Sequence, residues 1–135
     1  MSLESQTITI HGKLYSKKNS RRCYKINGKT IVLPSKAYMD SLPLMHSELN
    51  RNYERWCSIL ENKTPPYRIL FTIYRKSNDA FDFNNITQGL FDEMQKFDYL
   101  PDDNYNFLNP VYETVLDRKN PRTELTVLSG VTYVS

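Results

Sequence analysis

Cysteine is nearly missing from this chain: Cys23 and Cys57 are the only two among 135 residues. Two thiols make neither a disulfide scaffold nor a zinc site. They read as reduced thiols of a cytoplasmic protein. Long apolar runs are missing too, and none approaches the roughly 18 residues of a membrane span. Met1-Ser2-Leu3-Glu4 has neither the basic nor the apolar stretch of a secretory signal, so a cytoplasmic location is expected. The sequons Asn62-Lys63-Thr64 and Asn85-Ile86-Thr87 are then chance matches. Repeats and low-complexity tracts are absent. His11 and His46 stand without a partner pattern; neither is given a catalytic role, and His46 is expected on a helix surface.

Acids are absent from Ser5 to Met39, where eight cations fall: Lys13, Lys17, Lys18, Arg21, Arg22, Lys25, Lys29 and Lys36. From Asp79 to Asp103 the balance reverses, with seven acids against Lys96 alone. The net charge of +3 hides this division. Such a chain suits a protein that holds a polyanion and a divalent metal together; two solvated faces are the plainer alternative.

What is present suffices for a core. Hydrophobic residues make up 39% of the chain, with ten Tyr and six Phe, which argues for one globular domain over residues 1–135 and against disorder. Thr7–Ile10 alternates like a strand. Asn27-Gly28 between two β-prone stretches, 23–26 and 30–33, predicts a tight hairpin, because both turn positions tolerate positive φ. Pro34-Ser35 offers a helix cap, and Tyr38, Leu42, Met45, Leu49, Trp56 and Leu60 follow at helical spacing. Pro43 is expected to kink or restart that helix. Residues 67–74 read as a central strand with Ile69, Phe71 and Ile73 on one face. Asp82 looks like an N-cap, followed by a helix carrying Phe83, Ile86, Leu90, Phe91, Met94 and Phe97. Strands are expected at 111–116, after Pro110, and at 123–128. The order predicts an α/β fold: a mixed β-sheet packed with two main helices.

The stretch from Asp82 to Asp103 bears on chemistry. Asp82 and Asn85 share one side of the first helical turn. Asp102 and Asp103 follow the helix, which returns the chain towards the sheet, so the carboxylates can converge. Mg²⁺ takes oxygen ligands, commonly one or two carboxylates with waters and substrate phosphate. Phosphodiester hydrolysis uses such a metal to stabilise charge and activate water. The plainer alternative makes Asp82 only a cap and Asp102-Asp103 only a turn. Asp102, Asn104, Asn106 and Glu113 also fall at calcium-loop positions, but Phe107 stands where that loop needs glycine, and an EF-hand is rejected.

The run Asp82-Phe-Asn-Asn-Ile-Thr-Gln-Gly-Leu-Phe-Asp-Glu-Met, then Leu100-Pro-Asp-Asp103, resembles the RusA family of Holliday-junction resolvases, including its phage-type endodeoxyribonucleases. Gly12–Arg22, Pro34–Tyr38 and Pro121–Leu128 are similar to that family's basic segment, helix opening and last strand, so the likeness covers most of the chain. The second Asp of the family's Asp-x-Asp is Asn84 here, and its helical Lys is Gln88. The resemblance implies a Mg²⁺-dependent, homodimeric endonuclease that resolves four-way junctions in DNA recombination and repair. Asp82, Asp103, Asp102 and Asn85 would be catalytic, the three aspartates holding metal. Lys17, Lys18, Asn19, Arg21 and Arg22 would grip DNA phosphates. Tyr15 and Tyr24 could stack on unpaired bases, against the plainer reading of packing on a sheet. A branched-DNA-binding protein weakened by Asn84 and Gln88, and an unrelated interaction module, are the alternatives.

Overall fold

The computed structural model describes residues 3–17, 22–77, 81 and 83–129. After a short helical turn at Glu4–Gln6 come β1 (Thr7–His11), β2 (Arg22–Ile26), β3 (Lys29–Leu33), α1 (Lys36–Leu60), β4 (Tyr67–Arg75), α2 (Phe83–Lys96), β5 (Leu108–Leu116) and β6 (Arg122–Ser129). Four strands form one sheet in the order β1-β6-β4-β5. β4 pairs in parallel with β5 and antiparallel with β6, and β6 antiparallel with β1, so the expected mixed sheet is present. α2 is the crossover that a parallel neighbour requires.

The strand pattern explains where the core sits. Ile69, Phe71 and Ile73 of β4 are buried, as are Ile8 and Ile10 of β1 and Leu125 and Val127 of β6. Both helices cover that face. α1 contributes Met45, Leu49, Trp56 and Ile59; α2 contributes Leu90, Phe91 and Met94. Between Leu49 and Trp56 the buried place is taken by Asn52, whose amide donates to the Thr9 and Glu48 carbonyls at 2.9 Å each. Trp56 stacks on Tyr99 and donates to its carbonyl at 3.0 Å, tying α1 to the chain after α2.

Two local expectations change. Pro43 does not restart the first helix: α1 runs unbroken through it. Pro43 is exposed, so the unmade bond to the Met39 carbonyl falls where water can replace it. β5 begins three residues earlier than the spacing suggests, with Pro110 inside it. That is tolerated because β5 is an edge strand, whose outer side needs no N–H donor.

β2 and β3 form a separate ribbon closed by Asn27 (φ 51°) and Gly28 (φ 78°), as the turn chemistry predicts. Residues 25–31 are exposed throughout.

Candidate active site

The loop before the ribbon is tied to the start of α1. Ser35 caps the helix by accepting the Tyr38 N–H at 3.2 Å. The same hydroxyl donates to the Ser16 carbonyl at 2.8 Å, and the Ser35 N–H donates to the Lys17 carbonyl at 3.0 Å. One capping residue thus also fixes the backbone that presents Lys17.

Lys17 reaches α2. Its ammonium lies 2.8 Å from Asp92 Oδ2 and 5.3 Å from the centre of the Tyr38 ring. Tyr38 is buried against Gly89, where a Cβ would stand 2.3 Å from the ring. Glycine inside a helix costs about 1 kcal/mol relative to alanine; here its bare backbone makes room for the tyrosine. The Tyr38 hydroxyl donates to the Gly89 carbonyl at 3.3 Å and to Glu93 at 3.4 Å. Burial and the nearby Glu93 and Asp92 push its ionisation well above the usual tyrosine range.

Asp102 and Asp103 follow in the turn after α2. Asp102 Oδ1 accepts the Asp103 N–H at 2.7 Å. The Asp103 carboxyl is pushed above its ordinary value, first by partial burial, then by the hydrogen bond and charge of Asp102, with Asp92 adding to the effect. Asn85, Gln88 and Asp92 are half-buried and three and four residues apart, the spacing of one helix face. Asn85 lies two turns before Asp92, about 10 Å along the axis.

The expected ligand Asp82 lies outside the described residues, as do Lys18, Asn19 and Arg21; of Arg22 and Tyr24 only the backbone is described. The structure thus brings Asp102 and Asp103 together and sets Lys17 beside Asp92. Lys17 is not an unengaged phosphate donor, since its charge already meets a carboxylate. Asp92 carries no assignment from the sequence, although its seven-residue distance from Asn85 marks a shared face. Tyr15 is half-buried, with the Lys13 ammonium 5.1 Å from its ring centre.

The donor set suits a hard divalent cation. It consists of carboxylate oxygens, one of them resisting ionisation first through partial burial and then through Asp102, and a cation would favour its charged form. Among the described residues, no three His, Cys, Asp or Glu side chains are close enough to hold a metal ion. Two carboxylates, completed by water and phosphate, nonetheless make an ordinary Mg²⁺ shell.

No protein-family model matches the chain, and no curated protein is significantly similar to it.

Two other carboxylates are built differently. Glu93 is 1% exposed and accepts from His46 Nε2 at 2.5 Å and Lys96 Nζ at 3.0 Å. Burial alone would raise it, but those bonds outweigh burial and hold it below the usual carboxylate range. His46 is therefore no bystander on the helix surface. Glu48, also buried, accepts from Arg51, from the His11 N–H and from the His11 ring. The Arg51 bond leads in pulling it down to about 2. Partners 37 and 47 residues away in the chain left no local signal for either cluster.

Proposed function

We propose that the chain is a magnesium-dependent endonuclease that cuts branched DNA, four-way junctions included, as a cytoplasmic homodimer. One observation carries the reading: Asp102 and Asp103 stand side by side in the turn after α2, with Asp102 Oδ1 accepting the Asp103 N–H at 2.7 Å. Two adjacent carboxylates make a partial shell that a divalent cation can complete with water and phosphate. The likeness of the Asp82–Asp103 stretch to the RusA motif supports the same assignment. No helix among the described residues is long and apolar enough to cross a membrane.

Bound at the aspartates, Mg²⁺ would neutralise phosphodiester charge and make a water more acidic. The protein's own groups do the remaining work. Asp102 and Asp103 hold the cation, joined by Asp82. Asn85 supports the site by hydrogen bonding. Lys17 fixes Asp92 and keeps a positive charge beside the acidic turn. Lys18, Asn19, Arg21 and Arg22 grip the DNA backbone without reading sequence. A two-fold dimer presents two such sites to the two strands that junction resolution must nick.

Asn84 and Gln88, which replace a carboxylate and a lysine of the motif, favour a second reading: a branched-DNA-binding protein with weak turnover or none. A nicking assay on a four-way junction with Mg²⁺ decides. Nicking that disappears in Asp103→Asn supports the nuclease; tight binding without nicking supports the second reading; absence of both overturns the two together.

A further inference from the structure

A cleft of about 180 Å³ lies between the 13–16 loop, the end of β4 and the first turn of α2. It is smaller than the roughly 300–1,000 Å³ of pockets that enclose whole small molecules. A single base or phosphate group is the right size. Its position is also telling: crevices outside the carboxyl ends of strands are where open α/β sheets bind ligands.

Three cations line it, Lys13, Arg75 and Lys76, and no carboxylate of the described residues does. Flat surfaces line it as well. The Arg75 guanidinium lies over the Phe81 ring, 4.0 Å from its centre, and the Lys13 ammonium lies 5.1 Å from that of Tyr15. Rings and guanidinium planes are what unpaired bases stack on, while ammonium groups meet the phosphates between them.

We infer that this cleft binds one nucleotide unit of an unpaired DNA strand, its base against Tyr15 and the Arg75–Phe81 stack and its phosphate at Lys13 and Lys76. The inference rests on the DNA reading above and goes beyond it by naming where a splayed strand is seated. Phe81 and Ile86 place the cleft at the end of α2 that carries Asn85. A duplex, with its bases stacked inside, cannot use the cleft in this way, which makes the site selective for branch points and single strands.

The probe is a short single strand carrying one 2-aminopurine, titrated into the full chain beside an unlabelled four-way junction. The wild type is expected to quench the fluorophore. Lys13→Ala/Lys76→Ala is expected to lower the slope of log affinity against log salt by about 1.4, at about 0.7 for each single-strand phosphate contact. Tyr15→Ala is expected to weaken single-strand binding at least about fivefold, the low end of one lost stacking contact. Lys119→Ala removes an exposed cation that does not line the cleft and is expected to change neither. Lys13 and Lys76 are both exposed, so their removal spares the core. Junction binding by the wild type, with unchanged slope and quenching in the double variant, overturns the cleft and leaves the nuclease reading standing. Single-strand binding that depends on Lys13 and Lys76, without junction binding or nicking, supports the cleft and overturns the nuclease. Binding of neither probe overturns both.

Discussion

Glu93 and Asp103 lie ten residues apart and face opposite problems. Glu93 is buried and has its charge met by His46, Lys96 and the Tyr38 hydroxyl. Asp103 lies in the turn after α2, where partial burial first and then the adjacent Asp102 push its ionisation up. A carboxylate satisfied from within the protein stabilises the fold. One that other carboxylates oppose is stabilised chiefly by something brought in from outside. The two acids thus shift in opposite directions, Glu93 below and Asp103 above the ordinary carboxylate value.

The comparison is broken most directly at Asp103. Asp103→Asn keeps the shape and removes the charge, so nicking of a four-way junction is expected to fall by more than the roughly 10–100-fold that loss of an outer partner costs a metal site. Its urea midpoint is expected to stay equal or rise, since like-charge repulsion is relieved. A cleavage rate equal to wild type sinks the proposed site. Glu93→Gln inverts the pattern: the buried donors lose an anionic acceptor, and stability is expected to fall by about 1–3 kcal/mol in urea unfolding, with metal-free junction binding retained. If Glu93→Gln unfolds no more easily than wild type, the distinction between the two acids fails.

Glu48 sharpens the same contrast through pH. Its folded value is depressed from 4.5 to about 2. The stability it contributes is therefore present above about pH 4.5 and is lost as pH falls towards 2. Urea midpoints measured across that window are expected to drop, and Glu48→Gln to flatten the drop. The smallest effect is expected at Lys17. Because Asp92 already holds it, Lys17→Ala is expected to change the salt slope of junction binding by less than the 0.9 or so of a full phosphate contact. A full change would show that Lys17 leaves Asp92 for DNA.

Local chemistry made much of the fold legible. Asn27-Gly28 announces the ribbon, Ser35 the start of α1, and the alternation of Ile69, Phe71 and Ile73 the central strand. Each rests on a rule that acts within a few residues. Pro43 misleads because a helix held by Met45, Leu49 and Trp56 against the sheet tolerates one lost hydrogen bond at its exposed face. Pro110 misleads because only the strand order shows β5 to be an edge. The candidate site divides along the same line. Asp102-Asp103 is a local pair, whereas Lys17–Asp92 and His46–Glu93 join positions 75 and 47 residues apart. No local rule connects such residues, and packing alone brings them together.

The chain leaves the body of the molecule at Ser16-Lys17 and re-enters it at Ser35, and these two points are bonded to each other. The β2–β3 ribbon lies between these two points in the chain. The entropy of closing that loop is met at the clamp, not at the tip, and grows only slowly with length. The ribbon can therefore open and re-form as its own cooperative unit while the sheet and helices stay folded. A change in the ribbon's length is expected to leave the packing of the sheet and helices untouched.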